Sequence, residues 1–389
     1  MKDIETKNVD INQKTGVWHY SSMLLKSNEL VNSGRNQYAL VQWLSENNKT
    51  VIKNDFISPK SIIKIPSTKM DLIKIICIKL SINKESQDYY DLLEEKDERI
   101  IIIGTQQHRG GDFITSQFIS GGIFGNDVNP YNKMMFVHQA IREVRLNKSK
   151  KWTILLCTEG YSHNQIKKIK AAFYDKDEME DCVNDIIEIG DNDIDSIINY
   201  INFADRKKNT EIKKREYIKV SHLSIYAHGL PDGIYFWMDD VPPYQQVFGK
   251  NEIIKLKDTA FSENSEIYCY SCRTGIGNDS EDFTKKGSNP DLDKSIAQYI
   301  ANITGAKVYA YQSRTSYEDT LVKKEYRKAI ECEDNSIGVK DYELLCTIWN
   351  SKTYLVDGAI FYPKGAFYPV KADSTPIGLT STMCLYTRK

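Results

Sequence analysis

Long apolar runs are missing from this chain of 389 residues. The densest stretch, Ile73 to Ile82, is broken by Lys74 and Lys79, and nothing approaches the roughly 18 consecutive apolar residues of a membrane span. Neither sign of charge is in excess: Lys+Arg 52 against Asp+Glu 53 leaves a net charge of −1, which removes nucleic acid and anionic membrane surfaces as generic partners. A disulfide framework is also absent. The cysteines are scattered, and Cys77, Cys157, Cys269 and Cys384 sit in apolar runs, where buried thiols are common, so a reducing compartment is expected. The opening stretch Met1 to Lys7 is polar and lacks the apolar core of a signal peptide. A cytoplasmic location is the expectation; the alternative is export by a specialised secretion system that needs no such leader. The glycine-rich piece Ser120 to Gly125 has neither the strand-to-helix setting nor the lysine of a phosphate loop and reads as a plain loop.

What is present is a regular alternation. Thr153 to Cys157 reads as a strand, followed by a helix from about Asn164 with Ile166, Ile169 and Phe173 on one face. Ile186 to Gly190 reads as the next strand. Asp193 then caps a helix carrying Ile194, Ile197, Ile198 and Ile201 at helical spacing. Two strands follow, ending near His228 and Cys272. A helix opened by Asn289-Pro290 carries Leu292, Ile296, Tyr299, Ile300 and Ile303, stops at Gly305, and leads to a strand over Lys307 to Tyr311. Strands alternating with helices imply an α/β fold, a parallel sheet covered on both faces, with sites at the carboxyl ends of its strands.

Two of those ends carry chemistry. Leu223 to Ala227 runs into His228-Gly229, and the run Ile267 to Tyr270 breaks at Ser271-Cys272 into a polar turn bounded by Gly275. The interval of 44 residues (272 − 228) leaves ample room for the crossover of about ten to twelve residues that parallel neighbours need. A thiol is a weak nucleophile until a base takes its proton, and His228 can do that and later protonate a leaving group. The backbone N–H groups of Gly229 and Cys272 are candidate donors to a developing oxyanion, and glycine at 229 permits a close backbone approach.

Strand-His-Gly followed by strand-Ser-Cys-Arg-Thr-Gly resembles the caspase-like (clan CD) cysteine peptidases. In caspases the histidine lies about 50 residues before a cysteine in a Gln-Ala-Cys-[Arg/Gln/Gly]-Gly context. Here Tyr270-Ser271 replaces Gln-Ala, and Thr274 separates Arg273 from the glycine. The pattern is more similar to bacterial CHAT domains, continuing through an amphipathic helix to Thr304-Gly305-Ala306-Lys307-Val308-Tyr309-Ala310 and covering residues 150 to 320. The resemblance implies a caspase-like three-layer fold with a mostly parallel central sheet. It also implies a cysteine endopeptidase with a Cys272–His228 dyad, a polypeptide substrate and no metal or organic cofactor. Self-processing and a role as a bacterial toxin or effector fit that reading. Its competitor is a catalytically inactive caspase-like binding or scaffold protein.

The expected organisation is an N-terminal accessory region over 1–98, a linking segment over 99–150 with the strand Ile100 to Ile103 and the glycine-rich loop, a catalytic domain over 151–322, and a β-rich C-terminal extension over 323–389. Within the first region Ala39 to Leu44 reads as a helix and Ile62 to Pro66 as a strand, the piece from Gln42 to Pro66 resembling a LysM-type module. In the last, the echo of Gly358 to Pro363 in Gly365 to Pro369 suggests a hairpin or two matched turns. Substrate selectivity falls to four charged candidates. Arg314 suits an acidic side chain, Glu159 or Asp232 a basic one, and Arg273, beside the thiol, is the fourth candidate. Two rival readings stand beside the dyad. His108 lies 49 residues (157 − 108) before Cys157, nearly the same spacing, although Cys157 also reads as small apolar filler in a strand. Cys269 and Cys272 have the formal CxxC spacing of redox or metal chemistry, without a second such pair.

Overall fold

The computed structural model describes residues 4–82, 96–105, 133–179, 182–190, 193–206, 214–237, 246–317, 320, 354–357 and 359–389. The chain divides into two compact units, one of residues 1–96 with 208–219, the other of residues 97–207 with 220–389.

In the first unit, β1 (Thr6–Ile11) pairs antiparallel with β2 (Ser61–Pro66), Val9 opposite Ile63. Strand β2 alternates as a half-buried strand must, with Ile63 and Ile65 inward and Ile62 and Lys64 outward. Between the strands run α1 (Val17–Ser27) and α2 (Gly34–Asn47), and α3 (Lys69–Leu80) follows. Polar caps set the helix starts, Ser33 accepting from Asn36 N–H and Thr68 from Asp71 N–H. The buried Asn48 ties helix to strand: its amide donates to the carbonyls of Leu44 and Lys64, and its Oδ1 accepts from Lys64 N–H at 2.6 Å. Leu25, Leu30, Leu40, Leu44, Ile63 and Ile76 fill the core beneath.

The second unit is built on a seven-stranded sheet. Its strands are β3 (Lys96–Ile103), β4 (Trp152–Cys157), β5 (Val183–Ile189), β6 (Ile218–Tyr226), β10 (Phe261–Cys269), β11 (Lys307–Ala310) and β12 (Cys384–Tyr386); β7 (His228–Leu230), β8 (Gly233–Trp237) and β9 (Gln246–Gly249) form a small antiparallel sheet inserted after β6. The spatial order is β12-β11-β10-β6-β3-β4-β5, mostly parallel, with β12 antiparallel at one edge. The chain starts at the centre with β3, moves out to β5, then returns through β6 to build the other half. The point of reversal lies between β3 and β6, where Gly104 N–H donates to Tyr226 O at 2.8 Å. Ligands of open α/β sheets bind at such a reversal, beyond the carboxyl ends of the strands.

Each face of the sheet carries its own apolar layer. On one, Ile100, Ile102, Leu155 and Ile189 pack with α6 (Ile194–Phe203) and α7 (Ile296–Thr304). On the other, Ile101, Ile103, Ile154 and Leu156 meet α4 (Met135–Leu146) and α5 (His163–Phe173). The α/β class expected from the alternation is therefore present, with helices on both sides of a largely parallel sheet. Helix starts follow local chemistry again: Ser162 and Gln165 form a capping box on α5, and Asp193 accepts from Ser196 N–H on α6. Helix α7 begins at Ile296 with Ser295 as its cap, later than Asn289-Pro290 suggests, and ends at Gly305 in the left-handed region with φ 74°.

Three placements differ from the sequence reading. Ile100 to Ile103 belongs to the middle of the sheet, not to a linker; all four residues are fully buried, and an unalternating isoleucine run is what burial on both faces demands. Residues 384–386 are the sheet's edge strand, with Tyr386 opposite Val308, so the last residues complete the sheet as well as extending it. The hairpin near the end pairs Tyr354–Val356 with Ala359–Phe361, and Gly365 closes a separate turn by donating to Tyr362 O. His108, Arg109, Ser120 to Gly125, Gly358 and the segment 321–353 lie outside the described residues.

Candidate functional site

Strands β6 and β10 are parallel neighbours, with Leu223 opposite Ile267 and Ile225 opposite Cys269, and Tyr270 N–H continues the ladder to Ile225 O at 3.0 Å. Three residues beyond the Ile225–Cys269 pair stand His228 and Cys272, at the same level of adjacent chain segments. The two segments touch. A Cβ at Gly229 would lie 2.5 Å from Cys272 O, 2.8 Å from Ser271 Cβ and 2.9 Å from Thr274 Cγ2. Glycine is required here because the cysteine turn packs directly on its α-carbon; the close approach expected for substrate is made by the protein's own backbone.

His228 begins β7, and its half-buried ring is met edge-on by Phe136 of α4, with ring centres 5.1 Å apart. Phe136 meets Tyr317 in the same manner at 5.0 Å, and the Tyr317 hydroxyl donates to Tyr270 O at 2.7 Å. One aromatic side chain thus braces both the imidazole and the chain leading to the thiol. Cys272 is a half-buried free thiol; its Sγ accepts from Thr315 N–H at 3.2 Å and lies 3.1 Å from Thr315 Oγ1.

Immediately after the thiol the backbone turns left-handed, with Arg273 at φ 57°, a conformation that costs a non-glycine residue about 1–3 kcal/mol and persists only where surroundings hold it. The hold is visible. Arg273 N–H donates to Ser313 O at 2.9 Å, and its guanidinium, 2% exposed, pairs with Asp279 Oδ1 at 2.8 Å and Glu281 Oε1 at 2.9 Å.

The other charged candidates separate clearly. Glu159 is buried beyond the end of β4 and accepts from Gln246 Nε2 at 2.9 Å, so it faces protein rather than solvent. Arg314 pairs with Glu281 Oε1 at 2.6 Å. Asp232 is exposed, accepts from the Tyr235 hydroxyl at 2.9 Å, and lines a cleft of about 790 Å³ together with Leu230, Glu252, Gly277, Asp279, Lys250 and Lys294. Leu230 is two residues from His228, about 7 Å of extended chain. Of the four, Asp232 alone borders that open space with its side chain unengaged by an ion pair among those described.

The rival thiols are differently placed. Cys157 is 1% exposed inside β4, where burial first, and then the charge of Glu159, pushes its thiol far above the usual range. Cys269 is fully buried on the sheet and is pushed up to about 12 by burial. Neither environment favours thiolate. Among the described residues no group of three or more His, Cys, Asp or Glu is arranged to hold a metal ion, and no helix is long and apolar enough to cross a membrane.

Thr315, Phe136 and Glu281 are the neighbours that sequence reasoning did not single out. Thr315 follows a strand next to the cysteine strand, which is a usable signal; Phe136 has none, because its helix lies more than 90 residues earlier in the chain. Searches of known families and of curated proteins return nothing that matches this chain.

Proposed function

We propose that the chain is a cysteine endopeptidase of caspase-like type, acting through Cys272 and His228. The observation that carries the reading is the register of β6 on β10 together with the Gly229 contact on the Cys272 turn: the chain segments bearing His228 and the half-buried thiol touch just beyond the carboxyl ends of two neighbouring parallel strands. In the proposed cycle His228 takes the thiol proton as sulfur attacks the peptide carbonyl, and the negative charge on oxygen is met by the N–H groups of Gly229 and Cys272. Collapse of the tetrahedral species breaks the C–N bond, and His228 gives the proton to the leaving amine. Water, activated by the same imidazole, then cleaves the thioester and restores the thiol.

For selectivity we propose a basic side chain in the substrate. The cleft lined by Leu230, two residues beyond His228, offers Asp232 and Glu252, Asp279 being committed to Arg273 at 2.8 Å; of its two lysines, Lys294 is paired with Asp291 at 2.9 Å and Lys250 lies over the Tyr299 ring.

One observation favours the binding or scaffold alternative: the thiol is already engaged by Thr315, accepting from its N–H at 3.2 Å and lying 3.1 Å from its Oγ1. A thiol-reactive peptide probe separates the two. Labelling that requires Cys272 and is lost in His228→Ala supports the peptidase; binding of the peptide without labelling supports the scaffold.

A further inference from the structure

The residues around the thiol close into a ring. Cys272 is joined by the chain to Arg273; Arg273 Nη1 pairs with Glu281 Oε1 at 2.9 Å; the same Oε1 accepts from Arg314 Nη2 at 2.6 Å; Arg314 is joined by the chain to Thr315; and Thr315 N–H returns to Cys272 Sγ at 3.2 Å. One carboxylate oxygen therefore stands between the two arginines that flank the nucleophile and the group holding it. We infer that Glu281 is a positioning residue for Cys272, fixing the sulfur through Arg273 on one side and through Arg314 and Thr315 on the other.

Three further observations bear on this. First, Arg273 is 2% exposed, so its charge has left water and depends on its acceptors; an unpaired buried charge is strongly destabilising. Second, Arg273 sits in the left-handed region, so the direction in which the preceding residue projects depends on that side chain staying anchored. Third, Glu281 is itself held by backbone: Ile377 N–H donates to Glu281 O at 3.0 Å, Arg314 N–H to Thr375 O at 2.7 Å, and Asp373 N–H to Arg314 O at 2.8 Å. The segment 373–377 thus fixes both ends of the Glu281–Arg314 pair.

Asp279 supplies the contrast. It also pairs with Arg273 Nη1, at 2.8 Å, but is 79% exposed and is not paired with Arg314 among the described contacts. Losing Asp279 leaves the ring closed, whereas losing Glu281 opens it at both arginines. The Arg314–Glu281 pair, exposed at both ends, would contribute little to stability, but a charge-assisted contact that sets nucleophile geometry acts on rate.

The inference rests on Cys272 being the nucleophile, and the experiment keeps the two apart. The wild-type chain, Glu281→Gln, Arg314→Gln, their double variant and Asp279→Asn are reacted with a peptidyl acyloxymethyl ketone of basic sequence and, separately, with iodoacetamide. Modification at Cys272 is followed by peptide mapping. The ketone needs the productive geometry; iodoacetamide needs only an accessible thiol. The expected result is a fall of roughly tenfold in the ketone rate for Glu281→Gln and for Arg314→Gln, no further fall in the double variant, and a change under about twofold for Asp279→Asn. Iodoacetamide rates stay within about threefold throughout, the change expected when only the aim of the sulfur differs. An unchanged ketone rate in Glu281→Gln, or losses that multiply in the double variant, overturns the positioning role. If the wild type reacts with iodoacetamide but not with the ketone, the peptidase reading fails instead. Should Glu281→Gln not fold, Arg314→Gln opens the same ring from the far side and carries the same expectation.

Discussion

Replacing Gly229 by alanine tests the geometry at its tightest point. The added carbon would stand 2.5 Å from Cys272 O, whereas even favourable carbon–oxygen contacts close at about 3.3 Å, so strand and turn must separate by about 0.8 Å. Ser271 Cβ and Thr274 Cγ2, at 2.8 and 2.9 Å, block the lateral escapes. Overpacking of this kind costs about 1–3 kcal/mol, and a misplacement near 1 Å between reacting groups costs up to about a hundredfold in rate. Gly229→Ala is therefore expected to lower kcat on a peptide substrate by about 10–100-fold, with KM changed less, and to lower Tm by about 2–5 °C for a unit of this size. Gly190→Ala, where nothing lies within 4 Å of the new carbon, is the control and leaves both unchanged. Steady-state kinetics and calorimetry read the two effects. Full activity of Gly229→Ala at an unaltered Tm would refute the claim that the histidine and cysteine segments are in contact.

Further expectations follow from individual side chains. His138 of α4 is fully buried, its Nε2 accepts from Tyr362 N–H at 3.0 Å, and burial pushes its pKa down to about 3. The unfolded chain therefore binds a proton near pH 6.5 that the folded chain refuses; stability from this residue is complete above that pH and falls by at most about 1.4 kcal/mol per pH unit as pH drops towards 3. Urea melts of wild type and His138→Gln between pH 7 and 4 check it, the variant showing the shallower slope. Asp232→Asn is expected to weaken cleavage after basic residues by about tenfold, through KM more than kcat, in a substrate-library profile; an unaltered profile removes Asp232 from the selectivity pocket.

Much of this architecture was legible because the signals are local. The helix start near Asn164, the cap at Asp193, the stop at Gly305 and the two strands that end two residues before His228 and three before Cys272 can each be read within a few residues. The order of strands was harder. Ile100 to Ile103 is separated in sequence from β4 by some fifty residues, and nothing in a short isoleucine run tells a central strand from an isolated one. Residues 384–386 pair with β11 only after the chain has returned from far away, and a three-residue strand carries almost no periodicity. The candidate site shows the same division: the proposed pair, His228 and Cys272, was suggested by two neighbouring strand ends, while the contacts of Phe136, Thr315 and Glu281 come from segments that meet only once the sheet is assembled. Charge type alone could not sort the selectivity candidates either, since Arg273 and Arg314 are committed to carboxylates and Glu159 is buried.

The most direct measurement is the site of covalent modification by a basic peptidyl acyloxymethyl ketone, mapped by mass spectrometry on the wild type, Cys272→Ala, Cys157→Ala and His228→Ala. The account predicts a single adduct on Cys272, retained in Cys157→Ala and lost in the other two variants. An adduct on Cys157, or equal labelling of Cys272 with and without His228, would contradict it.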